Sequence, residues 1–133
     1  MKLFELKSRR SFYATSNDDG FRRGIDASGW TLLAPDTAHG TLDLDNAFVV
    51  GVEVWSYPDL TFLESLRDIL EANKVYVFSI DDFLDEPKFA EVVPGGKIPM
   101  ASPVIVRYKK SKMFWQKEGR AAFGLLSQRK ELG

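Results

Sequence analysis

The run from Ala47 to Trp55 constrains the fold more than any other part of the chain. Phe48, Val50, Val52 and Val54 fall on one side of an extended strand, and Val49, Glu53 and Trp55 share the other side with Gly51. A strand this apolar on both sides belongs in the middle of a sheet. The next segment has the period of a helix. Ser56 and Asp59 stand at capping-box spacing, with Asp where Glu is usual, and Pro58 suits a first helical turn. Phe62, Leu63, Leu66, Ile69 and Leu70 line one apolar face, whereas Glu64, Arg67, Asp68 and Glu71 fall on the wet side. The spacing predicts a helix over 56–73 that leaves through Asn73-Lys74, and then a buried strand from Val75 to Ile80. This strand–helix–strand segment is the one crossover unit the chain offers.

The flanking segments read as further strands and turns. Leu3–Leu6, Phe12–Thr15 and Trp30–Leu33 are short strand candidates, and Asn17-Asp18-Asp19-Gly20 reads as a turn. Ala34 to Gly40 reads as a loop. Leu42 and Leu44 alternate with Asp43 and Asp45 as in a half-exposed strand. Asp81 to Leu84 opens a short helix or turn. Beyond Pro94-Gly95-Gly96, Val104, Val106 and Tyr108 alternate with Ile105 and Arg107 in a last strand. Met113 to about Arg129 reads as a closing helix weakened by Gly119 and Gly124.

The expected fold is therefore a single α+β domain over residues 1–133. It has a mixed or mostly antiparallel sheet with two main helices packed on it. Leu63, Leu66, Ile69 and Leu70 are expected to pack against a sheet containing Val50, Val52, Val77 and Val104.

Several chemistries are excluded or weakened at once. The chain has no cysteine, so it carries no disulfide, no thiolate metal ligand and no cysteine nucleophile. No signal-type apolar segment is visible near Met1, and Ala47–Trp55 is far too short to span a bilayer. A soluble cytoplasmic protein that contacts no membrane is expected. The lone histidine, His39, sits in a loop three residues from Asp36, without a nucleophile motif beside it. Pro94-Gly95-Gly96-Lys97 lacks the spacing and the following Ser or Thr of a phosphate-binding loop. No catalytic residue, metal or cofactor is expected.

Charge is unevenly spread although the formal net charge is only −1. Residues 41–93 hold 12 acidic and 3 basic residues, and residues 94–133 hold 9 basic and 2 acidic ones. Asp59, Asp68, Asp81, Asp82, Asp85 and Glu86 form a candidate acidic patch for a basic protein partner. Two basic clusters are interleaved with aromatics: Arg9 and Arg10 before Phe12-Tyr13, and Lys109, Lys110, Lys112 and Lys117 around Phe114-Trp115. Such clusters suit nucleic acid, with cations on phosphates and rings on bases. A sequence pI near 5.8 makes that the second choice.

One stretch resembles a family. Arg10-Ser11-Phe12-Tyr13 through Gly20-Phe21, followed by Leu32-Leu33-Ala34-Pro35-Asp36, is similar to a segment of bacterial contact-dependent-inhibition immunity proteins. The resemblance covers about a fifth of the chain and transfers no site residue. It implies a non-enzymatic inhibitor that binds a cognate toxin, often a nuclease, and occludes its active site. The expected function is of that kind, with a nucleic-acid-binding accessory protein as the alternative.

Overall fold

A computed structural model describes residues 18–33, 42–70, 74–80 and 101–128. In chain order these form α1 (Asp18–Ala27), β1 (Thr31–Leu32), β2 (Ala47–Val52), α2 (Tyr57–Ile69), β3 (Lys74–Ser79), β4 (Val104–Lys109), β5 (Lys112–Glu118) and α3 (Arg120–Gly124). A single 3-10 turn, Leu125–Ser127, follows α3.

The five strands make one mixed sheet in the order β1-β3-β2-β4-β5. β3 runs parallel to both β1 and β2, and β4 is antiparallel to β2 and β5. The fold is thus the expected α+β class, with β2 central. All six residues of β2 are buried, because both faces of the sheet carry a core. Phe48, Val50, Val52 and Val54 enter one cluster with Leu60, Phe62, Leu63, Leu66 and Leu70 of the α2 segment. Phe21 and Ile25 of α1, Ala122 of α3, and Leu125 complete that side. Ala47, Val49, Phe78, Val104, Val106 and Tyr108 form a second cluster on the opposite face.

Gly51 lets the second face close. A Cβ placed on it would lie 2.2 Å from Cζ of Phe78 and 2.7 Å from Cγ1 of Val104. Those residues are its register partners on β3 and β4, so the ring occupies the space a side chain would need.

Four expectations change. Val104 faces the second cluster, not the helix-covered one, so α2 packs on Val50, Val52 and Val77 with Ile105 in its place. Asp18-Asp19-Gly20 begins α1 instead of a turn; the helix buries Phe21 and Ile25, one turn apart. The closing helix from Met113 is replaced by β5 up to Glu118, leaving only five residues of helix. The cause is a two-residue connection, Lys110–Ser111, with φ of 54° and 63°. Two positive φ values are what the tightest hairpin turns require, and they fold the chain straight back. Residues 42–44 form no strand, although Leu42 and Leu44 are half-buried and Asp43 and Asp45 exposed as expected. The candidate strands at 3–6 and 12–15 and the loop at 34–40 lie outside the described residues.

Candidate functional site

The carboxyl end of β2 carries the most organised turn among the described residues. The chain leaves β2 at Glu53, bends through Val54-Trp55, and enters α2 at Ser56. Ser56 is the N-cap, with an extended backbone (φ −91°, ψ 113°) and an Oγ that accepts the Asp59 N–H at 3.4 Å. The usual reciprocal bond would run from the fourth residue back to the cap. In this turn the carboxylate reaches further, and Asp59 Oδ2 accepts the Glu53 N–H at 2.9 Å. The Ser102 side chain stands by the Asp59 carboxyl and favours its charged form. Asp59 thereby ties the end of β2 to the start of α2, with the loop before β4 beside it at Ser102.

That loop contains the cis Ser102–Pro103 peptide, and the Pro103 carbonyl accepts the Gly119 N–H at 2.8 Å. Asp59 is only 2% exposed. Burial pushes its carboxyl pKa up, against the opposing pull of the Glu53 N–H and the side chains of Ser102 and Ser56. Around this buried clasp the surface is aromatic. Trp55 is 63% exposed and Tyr57 48% exposed, with exposed Pro58 beside them.

The other end of the sheet gathers the basic residues. Lys109 and Lys112 are register partners across the β4–β5 hairpin, and Lys110 lies in the turn between them. The Lys109 ammonium sits 4.4 Å from the ring centroid of Phe114, which is 62% exposed, and Met113 is 50% exposed. Lys117 lies further along β5, 6.0 Å from the centroid of Trp115. The structure therefore unites Lys109, Lys110 and Lys112 in one place and holds Lys117 apart along the strand.

Of the acidic candidates, Asp59 and Asp68 lie within the described residues. Asp59 is interior and cannot belong to an exposed patch; its carboxyl accepts the Glu53 N–H. Asp68 lies in the last turns of α2. Asp81, Asp82, Asp85 and Glu86 fall outside the described residues, as do Arg9, Arg10 and His39. Among the described residues no group of three or more His, Asp or Glu could hold a metal ion. Nor is any described helix long and apolar enough to cross a membrane.

The exposed aromatics at the α2 end were the residues that sequence reasoning missed. Their signal was an aromatic on each side of an N-cap serine, at positions outside the apolar period of the helix.

No family model and no curated protein matches the chain. Among solved structures, a chain that resembles it in fold comes from a study of the structural basis of the thiol resolving mechanism in yeast mitochondrial 1-Cys peroxiredoxin via glutathione/thioredoxin systems. The two share 17% identity at a TM-score of 0.53, over 78% of this chain and 96% of that one. The likeness is one of architecture.

Proposed function

We propose that this chain is a non-enzymatic protein-binding domain that holds a partner protein at the Trp55–Tyr57 end of the sheet. The observation that carries the reading is a pair of large, exposed aromatics mounted on a turn that the buried Asp59 locks from behind. Trp and Tyr supply wide apolar contact with a polar tip, and they dominate the energetics of protein interfaces. A preformed turn lowers the ordering cost of binding. The fold likeness to a thiol-handling system, without any thiol, is consistent with a scaffold that keeps a binding surface and lacks that chemistry.

The narrower form of the proposal is an immunity-type inhibitor that neutralises a bacterial toxin, of nuclease type, by covering its active site. Its support is the N-terminal resemblance at Arg10–Phe21 and Leu32–Asp36. Its contact set differs from the sequence expectation, because the anchors are Trp55 and Tyr57 and Asp59 is structural. Asp81, Asp82, Asp85 and Glu86 would supply the negative charge that steers a basic partner.

The test begins with capture of a partner on the immobilised protein and its identification. Titration then compares the wild type with W55A/Y57A. The double variant should bind at least about 30-fold more weakly, as expected for two hot-spot residues. Its thermal midpoint should be nearly unchanged, because both side chains are exposed. Full affinity in the double variant would overturn the reading. Protection of cells that express the captured partner as a toxin separates the immunity form from the general one.

A further inference from the structure

The hairpin at the opposite end of the sheet carries a second surface. From Val104 to Lys117 the chain has five basic residues, Arg107, Lys109, Lys110, Lys112 and Lys117, and no acidic one. Arg107 is buried, and the other four lie on or beside the β4–β5 ribbon. Lys109 and Lys112 face each other as a cross-strand pair, an arrangement that costs stability when the charges are alike. Neither Lys110 nor Lys112 has an ion-pair partner among the described residues. Phe114 stands exposed beside these lysines, with the Lys109 ammonium against its ring.

We propose that the Lys109–Phe114 hairpin is a binding site for single-stranded nucleic acid. A polyanion that enters between Lys109, Lys110 and Lys112 relieves their mutual repulsion and releases its own counterions. The exposed ring of Phe114 gives a base a face on which to stack. An acidic peptide would satisfy the lysines equally well. However, its carboxylates would meet the negative face of the Phe114 ring and gain nothing from it. A nucleotide joins a phosphate to a flat apolar base, which is the pairing of groups that this tip displays.

The site is separate from the Trp55–Tyr57 surface, since the hairpin lies at the amino end of β2 and the aromatic turn at its carboxyl end. The two proposals therefore fail independently.

The experiment is polarisation of labelled oligothymidylate and oligouridylate, each about 12 nucleotides, a length within the span of small single-strand binders. The proteins are the full chain, K110A/K112A, F114A and, as a control, W55A/Y57A. Binding to one or both oligonucleotides is expected at low salt. F114A should weaken it by about tenfold with the salt slope unchanged, as loss of one stacked base requires. K110A/K112A should reduce the slope of log K against log salt by about 1.4, the value for two phosphates on a single strand. W55A/Y57A should bind as the wild type does. The ratio of the two oligonucleotide affinities tells DNA from RNA. Absence of saturable binding would overturn the proposal. So would an F114A variant of full affinity that also binds a polyglutamate peptide as tightly as either oligonucleotide, because the surface would then be a general polyanion or peptide site.

Discussion

The guanidinium of Arg107 lies 4.4 Å from the centroid of the Phe48 ring, on the helix-covered side of the sheet. Arg107 is 3% exposed, and it takes its hydrogen-bond acceptors from neutral oxygens: the carbonyls of Ala47 and Tyr108, each at 3.4 Å, and Oδ1 of Asn46. Its Nε has no acceptor. Burial lowers its pKa from the ordinary arginine value. The cation is thus held by dipoles and an aromatic face, with no carboxylate beside it among the described residues.

Replacement of this residue should separate its volume from its charge. R107A leaves a cavity and strands the Asn46 and Ala47 acceptors, and should cost about 2–4 kcal/mol. R107M keeps most of the volume and removes a charge that is costly to bury. It should cost less than R107A and fall within about 1.5 kcal/mol of the wild type. Urea denaturation with a common slope measures both. An R107M variant as unstable as R107A would show that the hydrogen bonds to Asn46 and Ala47 outweigh the cost of burying the charge.

Asp59 predicts a pH dependence. Its folded-state pKa is raised above the usual carboxylate value, chiefly by burial. The folded protein therefore favours the protonated acid. That contribution is complete below the unfolded pKa near 3.8 and is lost as pH rises through the higher folded value. D59N keeps an acceptor for the Glu53 N–H and carries no charge to desolvate. The stability difference between D59N and the wild type should move in favour of D59N between about pH 3 and pH 7. D59A also lacks the acceptor, so it should lie about 1–2 kcal/mol below D59N at every pH. Thermal midpoints across that range decide the point, and parallel curves for D59N and wild type would count against it.

Gly51 should tolerate no side chain. A methyl group there would overlap the Phe78 ring, which is 1% exposed and has nowhere to turn. G51A should cost about 1–3 kcal/mol through overpacking. Adding F78L should recover part of that loss, with a coupling of about 1 kcal/mol between the two sites. Additive losses would mean that the ring is not the obstacle.

The parts of this fold that were legible share one property: their pattern was set by local burial. The alternation of Phe48, Val50, Val52 and Val54 places all four in one cluster, and the Ser56 cap starts α2 where its spacing said it would. The helix ends at Ile69 with Leu70 as its cap, short of the exit expected at Asn73-Lys74. Illegible parts depended on backbone conformations that the residue types conceal. Lys110 and Ser111 adopt positive φ without the Asn or Gly that usually announces it. Without that signal, the residues from Met113 onward carry no local mark that sets a strand apart from a helix. The candidate site was hidden for a different reason. Asp59 looked like one more surface carboxylate, and only the fold brings Ser102 beside it across 43 positions of sequence.

β4 gives the molecule a rigid strut. It begins at Val104, next to the loop beside Asp59, and ends at Lys109, next to the lysine turn. Six residues of strand, five rises of about 3.3 Å, set the two ends roughly 17 Å apart. No linker intervenes, so nothing between them can slacken. A macromolecule seated at Trp55 and another seated at Phe114 would share one short, fixed tether, and each would meet the other at the high effective concentration such a tether imposes.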